Sequence, residues 1–458
     1  MKISDTARKN SFAMCAALKS VGAALLAATL ALSACQPYEE WLLGDETTVS
    51  HHGGPLILAH WMPWYQGPSF QREEGDLRFY GGHWRGWNRF NPTLADETGR
   101  AQIAARQYPL TGPYHSGNPA LLDYQASLMI IAGIDGVIID WYGVYRANDF
   151  GFNHDNTVAL VNVLRRAGLN FIAMYEDNTL NMMERQNPAP VTQRSLEIGR
   201  MSFDWAQTNW FRDPLYVRFR GRPVVLCFGP QHFRGPNSRD HWEHLFHNVH
   251  PRPWFGDIDN RYPWADVSFN WPPMHLSQNV DGRRVLTEER LVEYLQHFYG
   301  GVQSTRPFRI ATVFSAFDDS YPVSYGYLAY NDGGTFELTW NMAMDFDPHV
   351  IQIATWNDYG EGTIIEPTME RGYRELEFIQ DRVREWNPAF PFTAGDLRWP
   401  LEFYRLRFTE TATPEQEAAI RDATDALFRR DVEAFRGAAH RTGLTVDVDD
   451  LRPMLRGR

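Results

Sequence analysis

Two carboxylates stand three residues apart in the run Trp356-Asn357-Asp358-Tyr359-Gly360-Glu361-Gly362-Thr363-Ile364-Ile365-Glu366-Pro367. Glycoside hydrolysis needs such a pair. One acid protonates the leaving oxygen, and a base or nucleophile acts on the sugar. A glycine-containing loop can aim both side chains into one space, and the Trp-Asn before and Gly-Thr-Ile-Ile after are not solvated-loop chemistry. Asp358 and Glu361 are therefore the candidate catalytic residues, Glu361 as general acid and Asp358 as general base. Glu361 can serve only if burial or the Asp358 charge raises its pKa. Glu366 reads as a substrate ligand or a structural ion-pair partner.

Other chemistries are scarce in this chain. Lysine occurs only at Lys2, Lys9 and Lys19. That excludes a Schiff-base lysine, pyridoxal-phosphate chemistry and a Walker phosphate loop, all of which need an amine. His241, His244, His247 and His250 recur every third residue, a spacing that turns by about 60° per step on a helix. They cannot share one ion, and no His-x-His ends the first strand, so no metal and no cofactor are expected. The formal net charge is −12. An acidic chain is a poor partner for nucleic acid, where affinity comes from neutralising phosphates. Neutral sugars suit it better, and a monomer is expected. With 458 residues and 16 Trp, the chain has ample apolar surface to bury.

The elements that position the pair form eight short apolar runs: Leu56 to Trp61, Asp135 to Trp141, Phe171 to Tyr175, Pro223 to Phe228, Trp254 to Ile258, Asp266 to Trp271, Arg309 to Phe314, and Val350 to Trp356. Runs without alternation fit strands buried on both faces. Helical segments separate most of them: Pro119 to Ala132, Asn156 to Ala167, Ser195 to Trp210, Arg239 to Asn248, Glu288 to Tyr299 and Phe336 to Phe346. The expectation is an α/β fold, a (β/α)₈ TIM barrel with a C-terminal helical extension. No Gly-rich dinucleotide fingerprint supports a doubly wound sheet instead. The barrel is assigned to 55–390 and the helical extension to 391–458. The extension includes helices from Thr413 to Arg429 and from Asp431 to Thr442. A long Gly-, Trp- and Pro-rich loop, about 62–118, follows the first strand on the side where barrel sites lie.

Most strands end on an aromatic residue: Trp61, Trp141, Tyr175, Phe228, Trp271 and Trp356. Flat rings pack on the C–H faces of sugars, so a glycan cleft is the natural reading. The expected substrate-binding set is His60, Trp61, Tyr65, Trp141, Tyr142, Glu176, Trp271, Trp356, Asn357 and Glu366.

The start of the chain reads as an address. Basic Lys2, Arg8, Lys9 and Lys19 precede an apolar run and then Leu32-Ser33-Ala34-Cys35. This has the parts of a secretory signal, with an apolar run too short to span a membrane. Leu-Ser-Ala-Cys resembles a bacterial lipobox. The resemblance implies cleavage of residues 1–34, a lipid on Cys35 and a tether over 35–54. The protein would then be lipid-anchored in the cell envelope, at the outer membrane. The one remaining cysteine, Cys227, sits in a buried-strand pattern and reads as packing.

The pair's motif resembles the Trp-Asn-Asp/Glu-x-x-Glu signature of glycoside hydrolase families 71 and 99. His60-Trp61-Met62-Pro63-Trp64-Tyr65 resembles the Tyr-Tyr-Pro-Trp-Tyr of family 99. Tyr108-Pro109-Leu110-Thr111-Gly112-Pro113-Tyr114 is similar to its Tyr-Tyr-Pro-x-x-Gly-Pro-Tyr stretch. The likeness runs over about 55–386. It implies a (β/α)₈ enzyme cleaving α-glucans or α-mannans. It also implies that the outcome turns on position 358. Family 99 has Glu there, deprotonates the sugar 2-hydroxyl and retains configuration. Family 71 has Asp, as here, and inverts. The alternative is a glycan-binding lipoprotein that keeps the aromatics and does no chemistry.

Overall fold

The computed structural model describes residues 46–67, 82–86, 88–409 and 411–447. The leader and Cys35 lie outside them. Eight strands form one parallel barrel sheet: β1 (Leu56–Trp61), β2 (Gly136–Trp141), β3 (Asn170–Tyr175), β4 (Arg222–Cys227), β5 (Trp254–Ile258), β6 (Val267–Phe269), β7 (Ile310–Val313) and β8 (Val350–Ile353). Ladders run β7-β8-β1-β2-β3-β4-β5-β6, so the barrel is closed everywhere but between β6 and β7. Side chains bridge that seam. Gln303 Nε2 donates to Ser268 O on β6 and faces Ile310 O on β7. Thr312 Oγ1 donates to Asn270 O at 2.7 Å.

Among the described residues, seven helices of eight or more residues cover the barrel: α1 (Pro119–Ala132), α2 (Phe150–Ala167), α3 (Gln193–Asn209), α4 (Ser238–Leu245), α5 (Glu288–Gly300), α6 (Gly334–Asp345) and α7 (Arg374–Trp386). Their ends follow from sequence. Asn118 caps α1 by accepting from Ala120 N at 2.9 Å, Pro119 sets the first turn, and Gly133 ends it at φ 85°. α2 begins six residues before the expected Asn156, because buried Phe150 and Phe152 extend its apolar face. The link from β5 to β6 is a turn without a helix.

Beyond the barrel come α8 (Trp399–Phe408), α9 (Pro414–Phe428) and α10 (Val432–Arg441). Tyr404 of α8 packs on Tyr124 of α1, ring centres 5.7 Å apart. The stretch 46–54, expected as free tether, is docked on the barrel. Its donors serve the buried Asp135 carboxylate ahead of β2: His52 Nε2 lies 3.0 Å from Oδ2, and His51 N donates to Oδ1. A buried carboxylate left without donors is costly, which is why the segment is held. Here Gly54 lies flat on Trp386, where an added Cβ would stand 2.3 Å from the ring.

Candidate active site

The loops after the strands gather at one end of the barrel, and the loop after β8 carries Asp358 and Glu361. Asp358 is buried. Its Oδ1 accepts from Glu361 N at 2.9 Å, and its own N–H donates to Thr355 Oγ1 at 2.8 Å. Gly362, at φ 69°, completes the turn where an added Cβ would meet Asp318 O at 2.7 Å. Glu361 is half-buried, and its Oε2 accepts from Trp271 Nε1 at 3.1 Å.

The two carboxyls differ electrostatically. Burial raises Asp358 to about 6, opposed by the backbone N–H groups of Glu361 and Gly360, which stabilise its anion. Burial and then the Asp358 charge push Glu361 well above the usual carboxylate range, with only the Trp271 indole opposing them strongly. Both carboxyls are thus raised, and Asp358, braced by the Glu361 N–H, is the better held as an anion. Environments that split two carboxyls this way assign an acid and a base.

Asp140 and Glu176 face the same space. Asp140 Oδ1 is buried with no hydrogen-bond partner among the described residues. Burial and the Asp358 charge raise its pKa, and burial and the Asp140 charge raise that of Glu176. Glu176 Oε1 accepts from Gln231 Nε2 at 3.1 Å. His60 points inward from β1 with both ring nitrogens unpartnered, its ring edge-on to Trp271 at 4.9 Å. Burial lowers it to about 3, so it is neutral. Tyr142 stands within the electrostatic reach of Asp140 and Glu176. The Tyr65 hydroxyl accepts from Tyr359 N at 3.0 Å, and burial and then the Asp358 charge raise its pKa.

Five expected sugar ligands are turned into the framework instead. Strand residues alternate sides. With His60 and Asp140 inward, Trp61 and Trp141 point to the helices. Trp61 Nε1 donates to Gln125 of α1 at 2.9 Å, and Trp141 packs on Trp210 at 4.9 Å. Both are fully buried, as is Trp356 beside the Glu366 carboxylate. The Asn357 amide clamps the backbone of Met62, accepting from its N–H at 2.8 Å and donating to its carbonyl at 3.1 Å. Glu366 accepts from Gln125 Nε2 at 2.7 Å and from the Tyr114 and Tyr359 hydroxyls at 2.8 Å each. Its oxygens are occupied by protein donors, so it positions the loop.

The structure adds residues that the motifs did not single out. From the loop after β7, Asp319 adds its charge to those raising Glu361, and Tyr321 feels the charges of both carboxyls. His83 stacks on Trp64 at 4.2 Å. Position was the available signal for the first two, since they lie in the loop that follows a barrel strand.

With this geometry, known structures resemble the chain at the level of fold. A family 99 endo-α-mannosidase from Bacteroides thetaiotaomicron, in complex with bis-tris propane, superposes with a TM-score of 0.50 at 16% identity, over 75% of this chain and 98% of that one. A glycoside hydrolase-like protein superposes with a TM-score of 0.52 at 15% identity, again over 75% and 98%. No protein-family model matches the chain, and no curated protein sequence matches it. At such identities the likeness shows the fold alone, a (β/α)₈ barrel.

Proposed function

We propose that the protein is a glycoside hydrolase cleaving α-linked glycans of the mannan or glucan type. Glu361 protonates the leaving oxygen, and Asp358 acts as the general base. One observation carries the reading. In the mouth of the barrel, two carboxyls three residues apart are held in unlike environments, one braced by backbone N–H groups and the other by a single indole. Asp140, Glu176 and neutral His60 face the same space with polar atoms suited to sugar hydroxyls. No step draws on a cofactor. The proposal extends to the leader: the protein is exported, cleaved before Cys35 and held at the outer membrane by a lipid on that sulfur.

The test is a screen of α-mannan, α-1,3-glucan and a panel of algal and host glycans for released reducing ends. Wild type is run beside Glu361→Gln. Release by wild type that collapses in the variant supports the reading. Equal release by both proteins overturns the assignment of Glu361. Binding without release by wild type favours a glycan-binding protein.

A further inference from the structure

We infer that the loop after β7 forms a ledge for further sugar units beside the catalytic turn, so that the substrate is an extended glycan chain. The inference rests on the acid–base reading of Asp358 and Glu361.

The loop is stapled to the catalytic turn. Asp318 N donates to Glu361 O at 2.9 Å, and Ser320 N to Gly360 O at 2.8 Å. Tyr321 lies against Gly360, 3.5 Å from where an added Cβ would stand. Tyr325 meets Tyr321 edge-on with ring centres 5.6 Å apart, and its N–H donates to Asp319 Oδ2 at 2.6 Å. Two aromatic rings thus lead from the catalytic turn toward solvent, where Tyr325 is 58% exposed and Val323 82%.

A small frame keeps this surface in place. Phe317–Asp318 pairs antiparallel with Tyr327–Leu328, and Tyr327 pairs with Val285 of the hairpin after β6. The Arg283 guanidinium sits 3.7 Å over the Tyr327 ring and 2.9 Å from Asp318 Oδ1. Exposed apolar side chains on a braced loop beside a cleft mark a binding surface more than scattered ones do. Tyrosine offers an apolar face and a polar tip, matching a sugar's C–H face and its hydroxyls.

The test compares full-length wild type, Tyr325→Ala and Tyr325→Phe. The substrates are an oligosaccharide ladder from α-mannan and α-glucan and an aryl glycoside of the same sugar. Tyr325→Ala should raise KM on the longer oligosaccharides about tenfold with kcat kept. The aryl glycoside should be unaffected, and Tyr325→Phe should keep most of the affinity. Unchanged KM on long chains overturns the ledge, and so does an equal loss on the aryl glycoside. If wild type hydrolyses none of these substrates, the acid–base reading fails and the ledge is judged by calorimetry. Weaker binding of the ladder to Tyr325→Ala supports it. Equal binding, or none to wild type, overturns it.

Discussion

The indole N–H of Trp271 donates to Glu361 Oε2 at 3.1 Å. An acid that accepts on one oxygen carries its proton on the other, so Trp271 selects which oxygen of Glu361 can reach a leaving group. The bond also stabilises the anion and lowers the Glu361 pKa. Trp271→Phe should therefore do two things. It should cut kcat/KM by about 10- to 100-fold, the worth of a hydrogen bond to a charged group. It should also move the alkaline limb of the pH profile upward, because the acid then holds its proton to higher pH. A lower rate with an unmoved limb would reduce Trp271 to packing.

Removing either carboxyl separates their roles. Glu361→Gln should lose about 10²–10⁴-fold on substrates with poor leaving groups. Activated aryl or fluoride leaving groups should partly rescue it, since they need less proton donation. Asp358→Asn should lose activity on all of them, because no leaving group replaces its action on water. NMR at early times should show inversion at the anomeric carbon, as Asp leaves more room for a water than Glu. Inverting pairs stand roughly 6.5–9.5 Å apart and retaining pairs about 5–5.5 Å. Retention would mean that Asp358 works on the sugar 2-hydroxyl.

The eight strands are legible in the sequence because strands buried on both faces must be apolar throughout, as in Val137-Ile138-Ile139. The same uniformity hides which way each residue points. Aromatic residues at the strand ends invite assignment to the mouth, yet Trp141 belongs to the helix layer and its neighbour Asp140 to the mouth. The polar residue is the better guide, since a carboxyl within an apolar strand needs either a partner or a site. The Asp358–Glu361 motif is legible because it is local. The clamp on Glu366 is not, because Gln125 lies 241 residues away. The Tyr321–Tyr325 ledge depends likewise on a loop whose placement no spacing rule gives.

Lipidation at Cys35 is open to a direct test. Labelled fatty acid should enter wild type and not Cys35→Ser, and the variant should leave the membrane fraction. Equal labelling of both proteins would remove the anchor from the proposal.

Glu366 links the catalytic loop to pH. Burial raises it from 4.5 to about 7 despite donors from Gln125, Tyr114 and Tyr359. A raised carboxyl binds its proton more tightly when the chain is folded. Its contribution is therefore full below about pH 4.5 and is lost as pH rises through about 7. The slope approaches ~1.4 kcal/mol per pH unit within that window. Glu366→Gln is always neutral, so its melting temperature should fall less than that of wild type between pH 5 and pH 8. The variant should also lose activity, because an amide at 366 turns a donor toward the Gln125 amide or the two tyrosines. Adding Gln125→Glu should restore the pattern. The carboxylate at 125 then accepts from Trp61 and from the amide at 366, whose oxygen still accepts from both tyrosines. Recovery in the double variant would show that Glu366 acts by holding the loop. A single variant whose melting temperature falls as steeply as wild type would take Glu366 out of the pH response.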